Sequence, residues 1–137
     1  MLGSRLYLDS NIFMYAIEGH EHYAARLAVL FGQIAAQRIP VTTSELTLAE
    51  CLVMPYKTGN TALAAIYQQH LSTHAGLECV AVSRDILQEA AQLRAISNMK
   101  LPDAIHVATA VRLQCDTFVS NDNGIRLPDS MTLLTLQ

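Results

Sequence analysis

The sequence predicts an α/β fold of three layers, with a parallel sheet between two layers of helix. Short apolar runs recur along the chain, and longer stretches of helical periodicity stand between them. Strands separated by helices return in the same direction, which gives a parallel sheet covered on both faces. The bulk composition agrees: 51% of the 137 residues are hydrophobic and only 15% are charged, so the chain reads as one compact domain, 1–137.

The elements follow in order. Leu6-Tyr7-Leu8 is a buried first strand ending at Asp9. Residues 12–17 and 23–37 read as helix, the second rich in Ala and Leu. Residues 38–42 form a second strand, whose Pro40 suggests a position at its start or at a sheet edge. A helix over 45–54 is capped by Thr43 or Ser44 and stopped near Pro55. Another covers 61–73 and ends before Gly76. Residues 78–82 are the third strand, and Ser83 caps a helix reaching Ile96. Pro102 sits in the first turn of a helix that continues to Leu113. Residues 117–120 and 131–136 complete the sheet.

Charge and cysteine content exclude several classes. A net charge of −3 is wrong for a protein that coats nucleic acid through a basic surface. Two divalent cations would bring it to +1, with the positive charge placed where a phosphate binds. Cys51, Cys79 and Cys115 are odd in number and never two residues apart, so they read as reduced core residues and not as a disulfide frame or zinc site. Arg5 and Asp9 interrupt the apolar run that a signal peptide starting at Met1 would need, and no stretch is long enough to span a membrane. The expected location is the cytoplasm.

In open α/β sheets the working site lies beyond the carboxyl ends of the strands. Asp9 directly follows the first strand and Asp122 closely follows the fourth. Glu50 is four residues from Leu46 and three from Val53, on the edge of an apolar stripe formed by Leu46, Ala49 and Val53. An unpaired carboxylate is costly there. Glu45, in the first turn of the same helix, needs no such explanation, because it favours the helix dipole. Asp103 opens the helix Asp103-Ala104-Ile105-His106-Val107-Ala108-Thr109-Ala110, which is apolar on nearly every side.

Each acid has an ordinary reading: a strand-end turn for Asp9, a helix-terminus acid for Asp103, an Asx turn in Asn121-Asp122-Asn123-Gly124 for Asp122. Gathered in one pocket they are costly, since two unit charges about 4 Å apart repel by about 4 kcal/mol at an effective dielectric of 20. Such a pocket takes up protons or holds a cation. Oxygen donors without a Cys or His cluster select Mg²⁺ or Mn²⁺, and the matching chemistry is metal-assisted phosphodiester hydrolysis.

Four segments carry a resemblance. Leu8-Asp9-Ser10-Asn11-Ile12-Phe13-Met14-Tyr15-Ala16 resembles the opening motif of PIN domains, and Thr43-Ser44-Glu45-Leu46-Thr47-Leu48-Ala49-Glu50 resembles their second, whose last acid is the functional one. Leu101-Pro102-Asp103-Ala104-Ile105-His106-Val107-Ala108-Thr109-Ala110 is similar to the third, and Phe118-Val119-Ser120-Asn121-Asp122 to the fourth. The resemblance covers essentially the whole chain. It implies a parallel sheet of four or five strands and a Mg²⁺- or Mn²⁺-dependent ribonuclease site, with one or two ions, made from Asp9, Glu50, Asp103 and Asp122. Asn11 and Ser120 match positions that support that site by hydrogen bonding. A free-standing domain of this size most resembles the VapC-like toxins of toxin–antitoxin pairs, which implies an RNA substrate, a homodimer and a cognate antitoxin. Ser120 stands where Thr is common, and Asn123-Gly124-Ile125 where a charged residue and Phe often stand.

Other residues carry weaker expectations. His106 reads more readily as a packed core histidine than as a site residue. His20 and His22 read as a solvated turn, and His70 and His74 as helix surface. Arg94 and Lys100, with Arg84 and Arg112, are the candidate phosphate contacts. Tyr7, Phe13, Tyr15, Tyr23 and Phe31 read as core. A phosphatase of the haloacid-dehalogenase type would need a second Asp where Asn11 stands, and a receiver domain would need an acidic pair that is missing. The alternative function is a catalytically silent PIN-like module that binds RNA or a protein. Costly buried carboxylates argue against it.

Overall fold

The computed structural model describes residues 2–137; Met1 lies outside the described residues. Strand β1 (Leu6–Leu8) leads into helix α1 (Ser10–Glu18), a single 3-10 turn (Glu21–Tyr23) and helix α2 (Ala24–Gln37). Strand β2 (Val41–Ser44) is followed by α3 (Glu45–Thr58) and α4 (Thr61–His70), and β3 (Leu77–Val80) by α5 (Arg84–Ile96) and α6 (Leu101–Arg112). Strands β4 (Thr117–Val119) and β5 (Thr132–Leu134) close the chain.

All neighbouring strands are parallel, in the order β3-β2-β1-β4-β5. Alternation along β1 divides the core. Leu6 and Leu8 pack with Ile12, Leu27 and Cys51 from the helices that cover one face. Tyr7 points the other way and packs with Ile86, Ala104, Val107 and Phe118. Its ring stacks on Phe118 at 4.9 Å between centroids. Helix α6 is buried from Ala104 through Ala110, as its apolar sequence requires.

Three expectations need correction. Helix α3 does not stop at Pro55 but runs through it to Thr58. Pro55 is buried, and the helix ends on Gly59, whose left-handed φ of 68° lets its N–H turn back to Pro55 and Tyr56. Local preference loses here to packing of α3 on its neighbours. Arg38 is not the start of β2; it is the left-handed cap of α2, at φ 52°. Pro40 stands directly before β2, at the strand start that was one of its two expected places, and β2 itself lies inside the sheet between β3 and β1. Finally, α4 ends at His70, so His74 is off the helix and pairs in a short bridge with Leu77.

Candidate metal centre

The chain reverses its direction of progress across the sheet at β1. Strands β2 and β3 lie to one side of it, and β4 and β5 to the other. Such a switch opens a crevice at the carboxyl ends of the two central strands. Asp9 follows β1 and Ser120 follows β4, so the parallel pairing of those strands sets both residues at the crevice.

Asp9 is buried, 3% exposed. Its Oδ1 accepts the Ser10 N–H at 2.7 Å, capping α1, and its Oδ2 accepts the Ser120 hydroxyl at 2.7 Å. Asn11 Nδ2 donates to Ser120 Oγ at 3.3 Å, and the Asp122 N–H donates to the same oxygen at 3.0 Å. Ser120 therefore ties the loop after β4 to the end of β1. Oδ2 of Asp9 has a second lone pair free for a further partner, whereas Oδ1 also accepts the Ser10 hydroxyl at 3.5 Å.

The loop brings Asp122 against Asp103. Gly124 donates its N–H to Asp122 Oδ1 at 2.7 Å, which is the Asx turn expected from the sequence. A Cβ on Gly124 would lie 3.1 Å from that oxygen and 3.7 Å from Asp103 Oδ2, so a side chain here would have to displace the Asp122 carboxylate slightly. Burial and the charges of Asp122 and Asp9 push the Asp103 carboxyl up from 3.8 to about 6.

His106 closes the group from below. Its Nε2 lies 2.6 Å from Glu50 Oε1 and 3.6 Å from Asp9 Oδ1, and its Nδ1 lies 2.6 Å from the Tyr7 hydroxyl. Burial keeps the Tyr7 phenol neutral, reinforced by the charge of Asp9. Burial also works to lower the His106 pKa, but its bond to Glu50 and the charge of Asp9 outweigh that and raise it. The short Nε2–Oε1 contact requires a proton between the two atoms, so His106 donates to Glu50. Asp9, Glu50 and His106 could together hold a metal ion, with one ligand atom from each inside 4.8 Å. While Nε2 donates to Glu50, His106 orients that carboxylate and leaves the carboxylate oxygens as donors.

Glu50 reaches this group from a different helix face than the sequence suggests. Val53 is 54% exposed and Ala49 is exposed, while the buried face of α3 is formed by Thr47, Cys51, Leu52 and Pro55. Glu50 stands at the boundary, half-buried. His106 is the packed, hydrogen-bonded core residue that the sequence favoured, and its contact with Glu50 also places it at the carboxylates. Its signal was its position three residues after Asp103 on a helix with no polar face.

Arg94, Lys100 and Arg84 are exposed, and Arg94 donates to the carbonyl of Ser97 at 3.4 Å. Arg112 is paired with Asp85 and Glu89 at 3.0 Å each, in the last turn of α6, about 13 Å along the helix from Asp103. Arg126, not singled out from the sequence, donates to the carbonyls of Asn123 and Ile125 and so stiffens the loop carrying Asp122.

A family model for the PIN domain matches residues 6–129. The chain belongs to the PIN domain family. No curated protein sequence matches it. Among solved structures it is similar to a toxin–antitoxin complex from Klebsiella pneumoniae, with TM-score 0.68 and 20% identity over 96% of this chain and 98% of that one. It is similar to VapBC2 from Rickettsia felis bound to a promoter DNA fragment, with TM-score 0.64 and 21% identity over 96% and 98%. It is also similar to VapC20 from Mycobacterium tuberculosis, described as a sarcin–ricin loop cleaving toxin, with TM-score 0.66 and 17% identity over 86% and 90%.

Two predictions follow from this geometry. Tyr7→Phe removes the partner of His106 Nδ1 and loosens its hold on Glu50. Calorimetric titration should show Mn²⁺ affinity weakened about 10-fold, with a stability loss of only about 1 kcal/mol. Unchanged affinity would mean that His106 needs no anchor.

The second concerns pH. Asp103 and His106 both have folded-state pKa values above their ordinary ones, so folding takes up protons. Their contribution is present at low pH and lost as pH rises through the folded values. Urea unfolding in EDTA should therefore give higher stability at about pH 5.5 than at about pH 7.5. A flat or opposite trend would contradict the assignment. Asp116 has the reverse sign: burial raises its pKa, but the Ser4 hydroxyl and the Ser4 and Arg5 N–H groups lower it further, so its stabilisation is lost only in stronger acid.

Proposed function

We propose that this protein is a divalent-metal-dependent endoribonuclease that hydrolyses RNA phosphodiester bonds and serves as the toxin of a toxin–antitoxin pair. The observation that carries this reading is the grouping of Asp9, Glu50 and His106 within 4.8 Å, with Asp103 in electrostatic reach of Asp9 and Asp122; we take Asp9, Glu50, Asp103 and Asp122 as one carboxylate site. Among the described residues, none of the four is paired with a lysine or arginine. Neutralisation is left to His106, to protons and to a cation.

Carboxylate oxygens of this kind suit Mg²⁺ or Mn²⁺, one or two ions. When bound, such an ion supplies a water of lowered pKa and positive charge at the attacked phosphate. The chain's own residues prepare the place for it. Ser120 and Asn11 fix Asp9, His106 fixes Glu50, and the Asx turn at Gly124 aims Asp122 at Asp103. A silent binding module would have no use for carboxylates held this close.

The toxin assignment is supported by structural neighbours described as toxin–antitoxin complexes and as a sarcin–ricin loop cleaving toxin. An antitoxin and a second copy of the chain are the proposed protein partners, and exposed Ile96, Met54 and Tyr56 offer apolar surface for them. No helix among the described residues is long and apolar enough to cross a membrane. The proposed site of action is the cytoplasm.

The purified protein should cleave single-stranded RNA with Mn²⁺ or Mg²⁺ and lose that activity in EDTA. Asp122→Asn should lower kcat/KM on the order of 10²-fold. Undiminished cleavage in EDTA, with contaminating nuclease excluded, would overturn the metal mechanism. Light scattering should give the mass of a dimer at tens of micromolar; a monomer there would refute the paired state.

A further inference from the structure

A cavity of about 420 Å³ opens beside the metal centre, lined among others by Met14, Tyr15, Glu18, His20, Glu50 and Met54. It shares Glu50 with the carboxylate group, so it is the space next to a phosphate placed there. Its size is that of a small-molecule pocket.

The walls of the cavity differ in chemistry from the metal centre. Tyr15 and His20 lie with ring centroids 5.0 Å apart, and Tyr23 lies 4.7 Å from Tyr15 and 4.8 Å from His20. This group was expected to be core and solvated turn. In the structure Tyr15 and Tyr23 are half-buried and His20 is exposed, and the Tyr15 and His20 rings meet edge-on at 67°, so they form a platform on which a base stacks on one ring and meets the other at its edge. Unstacked RNA bases bind such platforms by stacking. Met14 and Met54 add flexible apolar walls that adapt to a flat ring.

Glu18 supplies the selective contact. It is exposed, and its Oε2 accepts the Tyr67 hydroxyl, which holds the carboxylate in place. Its Oε1 has no protein partner among the described residues, and Oε2 keeps a second lone pair beside the Tyr67 hydroxyl, so both oxygens of this cavity-lining carboxylate can still accept. A carboxylate can accept only from donors. Guanine alone among the RNA bases presents two adjacent N–H donors on its Watson–Crick edge, matching a carboxylate in the bidentate manner. Uracil presents one N–H between two carbonyls, which Glu18 repels. Adenine and cytosine each present a donor beside an acceptor.

We infer that this cavity seats a guanine flanking the scissile phosphodiester, stacked on Tyr15 with His20 edge-on beside it, and read by Glu18. The inference rests on the nuclease reading and adds the base that the enzyme selects.

The test is binding of 5′-fluorescein pentanucleotides UUXUU in Ca²⁺, followed by anisotropy, with X as guanine, hypoxanthine, adenine or uracil. Hypoxanthine keeps N1–H and lacks the 2-amino group, so it isolates the second donor. Guanine should bind about tenfold tighter than hypoxanthine. Glu18→Gln, which still accepts from Tyr67 and should melt like wild type, should cut that preference below about twofold. Tyr15→Leu should weaken all four ligands about tenfold and leave the guanine-to-hypoxanthine ratio unchanged.

Equal affinity for guanine and hypoxanthine overturns the inference, as does a preference that survives in Glu18→Gln or binding indifferent to Tyr15→Leu. In these cases metal-dependent cleavage would still stand. Failure of wild type to bind any of the RNAs would overturn the base pocket, and failure to cleave RNA with Mn²⁺ would separately overturn the nuclease reading.

Discussion

Repulsion between carboxylates is the interaction on which the rest of this structure turns. Asp9 and Asp103 come from a strand end and a helix start, Glu50 from α3 and Asp122 from a loop; folding sets Asp9 beside Glu50 at His106 and Asp103 within reach of the charges of Asp122 and Asp9, and the proposed site joins all four. At the separations that hydrogen-bonded carboxylates adopt, each repelling pair costs on the order of several kcal/mol at an effective dielectric of 20. The fold answers with donors aimed at the acids: Ser10 and Ser120 at Asp9, His106 at Glu50, Gly124 at Asp122. These donors fix geometry, and the Asp103 carboxyl is still raised, first by burial and then by the charges of Asp122 and Asp9.

The sheet supplies the precision for this crowding. Leu8 of β1 pairs with Val119 of β4, so the residues after them emerge side by side. Helix α6 then delivers two groups to the same place, Asp103 from its first turn and His106 one turn on. Tyr7 links the layers: its ring belongs to the hydrophobic core with Phe118, and its hydroxyl anchors His106. A core residue and the metal centre thus share a single side chain.

Much of this was legible in the sequence, because the α/β rhythm and the strand-end position of Asp9 are local signals. The boundaries of α5 and the start of β1 follow from Ser83 as a cap and from the Leu6-Tyr7-Leu8 run. What depended on long-range packing was not legible. Pro55 stays helical because its burial outweighs its missing N–H. The Leu46, Ala49 and Val53 stripe gave the wrong face, since the real one is set by where α1 and α4 pack. His106 looks like a core residue because it is one; only the fold shows that Glu50 stands at its other nitrogen. The edge-on meeting of His20 with Tyr15 of α1 depends on a 3-10 turn, capped by His20, that no periodicity announces.

The most direct test of the shared carboxylate site is thermal unfolding of wild type, Asp103→Asn and Glu45→Gln, each in EDTA and in Mn²⁺. Wild type should gain stability as RT ln(1 + [L]/Kd), about 2.7 kcal/mol at a hundredfold excess over Kd. Asp103→Asn should melt at or above wild type in EDTA, because one repelling charge is gone, and should lose most of the Mn²⁺ response. Glu45→Gln, altered only at an exposed helix terminus, should respond as wild type does. If Asp103→Asn melts lower in EDTA and still responds fully to Mn²⁺, Asp103 is a helix-capping acid and the four carboxylates do not act as one site.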